Sequence, residues 1–445
     1  MSDLPQVWEQ IALGDLCDEV AGSIVPSDAT MYELYSVPAF PSGQPEIIRG
    51  LKIGSAKRPV ETNDVLLCKI NPRINRVWMV HPNSYHPQIA STEFMPLRLP
   101  NEFEGTARYL MWYLRSPQFR AWIELNAEGA TGSHTRAKSK QILRQLIPIA
   151  PEAEQVRIVA AIEEQVSRLG AAVATLERAR GNIKRMRAAV LQAAVAGKLV
   201  SGSQRPWDKR LLPTLGTVDR GRSRHRPRNA PELYGGPYPF IQTGEVASAA
   251  PWITSYSQTY NEKGLGQSRL WPSGTLCITI AANIAKTGIL TFDACFPDSV
   301  VGFVAADGAI ATRWIELVLR QMQDKLEQLA PATAQRNINL AILGALEIPY
   351  PELHYQALVI EEYDRQMSLI TSLEAAVDVA IRKSARLHSS ILADAFSGEL
   401  APQDVDDEPA SGLLQRIAAE RASSSSGHRP TRGRKPRVLQ EEVTE

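Results

Sequence analysis

Side chains of the kinds that contact phosphate and base edges are gathered into a few short segments of this 445-residue chain. Arg49, Lys52, Lys57 and Arg58 make one cluster. Lys69, Asn71, Arg73, Asn75 and Arg76 make a second, directly after an apolar run. Thr131 to Lys138 is small, polar and basic, and includes Ser133, His134, Arg136 and Lys138. Farther on, five arginines fall within nine residues, at Arg220, Arg222, Arg224, Arg226 and Arg228. Gln242, Thr243, Lys263, Gln267, Arg269, Asn283, Lys286, Gln335, Arg336 and Asn337 follow. Arginine hydrogen-bonds guanine through two donors, Asn and Gln pair with adenine, and Lys and Arg neutralise phosphate. Taken singly, any one of these residues is more readily a solvated loop charge. As clusters in matching places of two halves they point to DNA, and the arginine stretch alone would steer toward a polyanion.

Catalytic signatures are missing. Asn71-Pro72-Arg73-Ile74 partly matches the Asn-Pro-Pro-aromatic motif of amino-methyltransferases, but lacks the second proline and the aromatic ring. No glycine-rich strand-to-helix loop precedes it to hold a methyl donor. Gly197-Lys198 is followed by leucine, so no phosphate-cradling loop forms there. Pro297-Asp298 has no Asp/Glu-x-Lys downstream to complete a metal nuclease site, and the seven histidines show no metal-ligand spacing. The expectation is a chain with no catalytic residue, no metal site and no cofactor of its own.

Net charge is +1, so a nucleic-acid surface must be a local patch balanced by acid elsewhere. Cys17, Cys68, Cys277 and Cys295 form no CxxC pair, which fits buried thiols in a reducing compartment. With no basic-then-apolar leader and no long apolar run, the expectation is a soluble, cytoplasmic protein without a membrane span.

The positioning elements come in duplicate. Ala189-Val-Leu-Gln-Ala-Ala-Val-Ala-Gly197-Lys-Leu199 returns 201 residues later as Ser390-Ile-Leu-Ala-Asp-Ala-Phe-Ser-Gly398-Glu-Leu400. Ile147-Pro-Ile-Ala-Pro151 with Glu154-Gln155 returns as Ile348-Pro-Tyr-Pro351 with Gln356. Asp64 to Ile70 reads as a buried strand, with Thr275 to Ile280 as its counterpart. A helix is predicted over Thr106 to Leu125, and another over Thr312 to Leu329. Each half is therefore α+β.

Residues 152–196 lack proline and carry apolar side chains on a 3,4 spacing: Val159, Ile162, Val166, Leu169, Val173, Leu176, Ile183 and Val190. Arg180 and Arg187 break the stripe. Residues 353–396 repeat it at Ile360, Tyr363, Met367, Ile370, Val377, Ile381 and Ile391, broken by Glu374, Ser384 and His388. Pro151 and its following acids suit a helix start, and Gly197 its end. Two such narrow stripes suit antiparallel pairing, although each helix packing on its own half is the plainer alternative. About 44 residues at ~1.5 Å each is roughly 65 Å, longer than a half domain needs. Alanines such as Ala160, Ala171 and Ala188 either allow close helix approach or simply favour helix.

Beyond residue 401 an acidic stretch leads to Gly412–Arg421, a possible short amphipathic helix. Ser423 to Gly427 then reads as flexible. Arg432-Gly433-Arg434-Lys435-Pro436 partly matches a minor-groove hook, with Thr431 where proline is usual, and is equally a generic basic tail.

The order of these features, met twice, resembles the specificity subunit of Type I restriction–modification systems over about residues 8–400. Trp8 with Leu13-Gly14 against Trp207 with Leu215-Gly216, and Phe240-Ile-Gln-Thr-Gly244, carry the resemblance further. The second copy departs at His354-Tyr355, where the first has Glu154. The resemblance implies two target-recognition domains, 1–150 and 201–350, and two spacer helices, 151–200 and 351–400, that pair antiparallel. A flexible tail, 401–445, follows. It implies double-stranded DNA with a split target, two modification subunits and restriction subunits as partners. S-adenosylmethionine, ATP and Mg would sit on those partners. Two other readings stay open from the residues alone: a coiled-coil adaptor for protein or RNA, and an enzyme acting by itself.

Overall fold

Each half opens with a short strand that closes on the Ile-Pro segment ending it. Glu9–Ala12 pairs antiparallel with Leu146–Ile149, and Lys209–Leu211 pairs antiparallel with Glu347–Pro349. The duplication extends to single hydrogen bonds. Gln155 Nε2 donates to Ala150 O at 2.8 Å, and Gln356 Nε2 to Pro351 O at 2.7 Å. Tyr109 Oη donates to Pro148 O at 3.0 Å, and Trp314 Nε1 to Pro349 O at 2.8 Å. Buried polar groups need partners, so these repeated bonds hold the same joint in both halves.

The computed structural model describes residues 4–81, 85–129, 135–201, 207–225, 227, 229–249, 251–281, 283–329 and 337–426. The chain divides into two units, residues 1–175 with 380–445, and residues 176–379. The division falls within the two long helices, Glu152–Val195 and Leu353–Ala395, so each unit holds half of each.

In the first unit, one four-stranded sheet carries Val65–Cys68 between Phe94–Arg98 and Val77–Met79. A second four-stranded sheet ends on the edge strand Glu46–Arg49. The expected helix over Thr106–Leu125 is two helices, Glu104–Arg115 and Pro117–Leu125. Ser116 is the reason: Pro117 cannot continue the first helix, and the Ser116 hydroxyl caps the second by accepting from Phe119 N at 3.2 Å. The core joins Leu110, Leu114 and Phe119 to Val159 and Ile162 of the first long helix and to Leu392 and Phe396 of the second.

In the second unit, Leu276–Thr279 lies inside a five-stranded sheet. The region expected as one helix over Thr312–Leu329 is again two, Gly308–Gln321 and Gln323–Leu329. Trp314, Leu317 and Val318 pack with Ile183 and Val190 of the first long helix and Val359, Tyr363 and Ile370 of the second. Arg187 meets Glu374 at 2.9 Å and Arg180 meets Asp378 at 3.6 Å, so the helices run antiparallel here. In each unit both packings anticipated from the stripe occur together. Arg108 also bridges to Glu163 at 2.8 Å and Arg313 to Asp364 at 2.7 Å, each tying a domain helix to a long helix. Leu169 and Leu176 are half-buried. Gly197 and Gly398, at φ of 63° and 84°, end the long helices in the left-handed conformation that glycine favours.

The tail differs from expectation. Ala410–Ser426 is a helix that continues through Ser423. Leu413 and Ile417 are buried in the first core, so apolar anchoring outweighs the weak helix propensity of the serines. Residues 427–445, with the basic hook-like motif, lie outside the described residues. No helix among the described residues is long and apolar enough to cross a membrane. The four cysteines are free and buried.

Candidate nucleic-acid interface

In both halves the loop after the buried strand is hydrogen-bonded to the segment before the Ile-Pro joint. Ala137 N donates to Lys69 O at 3.0 Å, and Asn71 N to Thr135 O at 2.8 Å. In the second half Ile338 N donates to Ile280 O at 3.0 Å, and Ala281 bridges Asn337. The Lys69–Arg76 cluster is thereby joined to Arg136–Lys138, and Asn283 and Lys286 share a loop system with Asn337. Ser133, His134, Arg226, Gln335 and Arg336 lie outside the described residues.

Most first-half cations already have acidic or backbone partners. Glu19 lies 3.7 Å from Arg58 and 3.9 Å from Lys69, and Lys69 also donates to Ser139 Oγ at 3.2 Å. Arg136 meets Glu93 at 2.5 Å and Lys138 meets Glu128 at 2.6 Å. Asn71, at φ 49°, accepts from Arg73 Nε at 2.9 Å. Arg76 is half-buried beside Cys68, and Asn75 Nδ2 donates to Leu114 O at 2.8 Å. Lys57 is buried, with its ammonium on Ser55, and burial pushes its pKa below the usual lysine range. Its place is structural in this geometry. Arg49 and Lys52 stand elsewhere, exposed on the edge strand and the turn after it, beside exposed Ile47 and Leu51.

The second half is more open. Arg222 and Arg224 are exposed. Asp219 draws Arg269 to 2.9 Å and Arg222 to 3.8 Å, while the Arg269 guanidinium lies 4.0 Å above the Trp271 ring. Lys263 is exposed on a short helix capped by Asn261. A concavity of about 220 Å³ gathers Ser223, Asn229, Gln242, Thr243, Gln258 and Ser299. Gln242 Nε2 donates to Gln258 Oε1 at 2.8 Å, which orients both amides. Gln258 Nε2 has no hydrogen-bond partner among the described residues. Such an amide, with one fixed neighbour and free donors, suits a base edge. The sequence singled out Gln242 and Thr243 here. Ser223, Asn229, Gln258 and Ser299 are distant in the chain and carried no local signal.

A profile of the Type I restriction modification DNA specificity domain matches residues 205–377. The Escherichia coli Type I restriction enzyme EcoBI specificity subunit is 23% identical over 392 residues, covering 78% of this chain and 77% of the relative. The Salmonella potsdam StySPI specificity subunit is 24% identical over 341 residues, covering 71% and 72%. Among solved structures, the HsdS subunit from Thermoanaerobacter tengcongensis aligns with a TM-score of 0.59 at 20% identity, over 89% of this chain and 98% of that one. A chain from a study of type I R-M complex assembly aligns with a TM-score of 0.73 at 21% identity, over 89% and 99%. Both share the fold. Residues 205–377 match the Type I restriction modification DNA specificity domain, and most of the chain is similar to specificity subunits of Type I restriction enzymes.

Proposed function

We propose that this chain reads a split double-stranded DNA target, one part by each globular domain, within a cytoplasmic restriction–modification complex. The long helices fix the gap between the parts and dock two modification subunits, with restriction subunits joining them. S-adenosylmethionine, ATP and Mg belong to those partners, and this chain positions DNA without reacting. The observation that carries the reading is the doubled loop system: Lys69 O with Ala137 N, and Ile280 O with Ile338 N, organise polar loops alike in both halves. Exposed apolar side chains on the long helices support docking, among them Val156, Leu369, Leu373 and Leu387, each more than half exposed.

The test is coexpression with a modification subunit, followed by mapping of methylated adenines. A split motif with one fixed gap is the expected result. A well-formed complex with random or no methylation would favour an adaptor, and a continuous motif would mean that one domain alone reads bases. Deleting a heptad from 152–196 should change the gap or abolish binding while the bases preferred by each half stay the same.

A further inference from the structure

One arginine of the first unit lacks the carboxylate that its counterpart in the second unit holds. Tyr109 and Trp314 bond the same joint, and Arg108 and Arg313 make the same bridge to a long helix, so the two domain helices align residue for residue. Arg115 therefore matches Arg320, and Met111 matches Glu316. Glu316 is fully buried and accepts from Arg320 Nε at 2.7 Å and from Thr287 Oγ1 at 3.0 Å, and it also pairs with Arg313. Met111 brings no charge. Among the described residues the hydrogen bonds of Arg115 all go to Val77 O, at 2.7 Å from Nη2 and 3.2 Å from Nε, and no carboxylate is paired with it. Val77 and Thr287 stand on matching strands, each the antiparallel neighbour of its half's buried strand. Beside Arg115 opens a concavity of about 600 Å³, wholly within the first unit and walled by Trp112, Val166, His388 and Leu392. Arg120 and Glu124 also line it but meet each other at 3.0 Å, which leaves Arg115 as its uncompensated charge. That charge reaches across the hollow: after burial, it is what lowers the His388 pKa.

We propose that this hollow receives an acidic side chain of a modification subunit, which pairs with Arg115 as Glu316 pairs with Arg320; this rests on the reading above. A half-buried guanidinium with donors to spare is unfavourable without an anion. The second half shows which anion the fold places there: a carboxylate on an apolar stem. A free ion would leave the Trp112, Val166 and Leu392 walls uncovered, whereas a protein segment covers walls and cation together. Docking then excludes water, and an arginine–carboxylate pair gains strength in a drier site. Leu387, next to His388 in the chain, and Leu125, next to Glu124, are each more than half exposed, so apolar side chains are offered beside the lining residues. An arginine set among such walls is the usual centre of a protein contact. Glu316 already fills the corresponding place in the second half, so only the first unit offers this contact. The two modification subunits are therefore held unequally.

The test titrates a modification subunit into the full chain carrying Met111→Glu, Ala121→Trp, Arg115→Gln or Arg115→Lys. Met111→Glu supplies the missing carboxylate from within, and Ala121→Trp fills the hollow from an exposed position on its rim. Arg115→Gln removes the charge, and Arg115→Lys keeps it. The first three should each weaken one of the two binding steps about tenfold, the size of one lost hydrogen bond to a charged group, and leave the other step unchanged. Arg115→Lys should lose less than Arg115→Gln. Ala121 is exposed, so Ala121→Trp keeps the test decisive if a substitution at Arg115 or Met111 fails to fold. Folded variants that bind at both steps like wild type overturn this contact and leave the docking reading standing. So does an equal loss for Arg115→Lys and Arg115→Gln, because the charge would then play no part. If the wild-type chain binds no modification subunit, the docking reading itself fails, and the proposed occupant with it.

Discussion

The Trp8 indole nitrogen donates to the Glu154 carboxylate at 2.9 Å in the first unit's interior. Trp207, its counterpart, instead sets its ring edge-on to Tyr355, with centroids 5.7 Å apart, and the Tyr355 hydroxyl donates to Val200 O at 2.8 Å. The departure of the second copy from the Glu-Gln motif is thus a second solution to one joint: a hydrogen-bonded carboxylate in one half, an aromatic contact in the other.

Burial raises the Glu154 pKa, outweighing the Trp8 hydrogen bond and Arg157, with Asp407 adding to the rise. A carboxyl whose folded pKa exceeds its unfolded one favours folding most when protonated. That contribution is full below the ordinary carboxylate range and is lost as pH climbs through the raised value. Glu154→Gln keeps an acceptor and removes the buried charge. It should melt at or above the wild-type temperature at neutral pH, with the difference closing as pH falls through the carboxylate range. Glu154→Leu strands the Trp8 donor and should cost about 1–3 kcal/mol. A glutamine variant less stable than wild type at neutral pH would contradict this account.

The helix Ala410–Ser426 is part of the first unit's core. Besides Leu413 and Ile417, Arg421 donates to Gly14 O at 3.1 Å, and Arg416 pairs with Glu152. Leu413→Ala and Ile417→Ala should each destabilise by about 2–5 kcal/mol, the range for emptying a buried aliphatic site. Arg416→Ala, removing half-exposed pairs, should cost about 1 kcal/mol or less. Hydrogen exchange at Leu13–Cys17 after the leucine substitution is the check. Unchanged protection there would mean that the helix is an ornament.

The sequence made the repeat, the buried strands, the long helices and their glycine ends legible, because each leaves a local periodic or terminal signal. Other features depend on pairs far apart in the chain. Nothing near Lys57 announces its burial, and Arg136 reads as free until Glu93 is beside it. The register breakers Arg187 and Glu374 looked like flaws in two separate stripes because their pairing is visible only across helices. The break at Ser116 lies within an apolar face that Trp112, Tyr113 and Phe119 keep continuous, so the helical pattern runs on through it in the sequence. Within the candidate interface, the polar clusters were legible as composition. The concavity around Gln258 was not, since it assembles residues 223 to 299.

That concavity separates two kinds of DNA contact by experiment. Among the described residues Gln258 Nε2 has no acceptor, and its Oε1 accepts from Gln242, so it is placed to discriminate bases. Gln258→Ala should relax preference at one position of the second half-site, by about 1–3 kcal/mol against the wrong base, and leave the first half-site alone. Arg224 is exposed on a basic stretch and suits phosphate. Arg224→Ala should weaken all sequences alike and reduce the slope of log affinity against log salt by about one. Competition binding of the complete complex over a salt series, with substituted half-sites, measures both. If Gln258→Ala lowered affinity uniformly and Arg224→Ala changed base preference, the two roles would be reversed, and base reading would lie along the arginine stretch rather than in the amide-lined hollow.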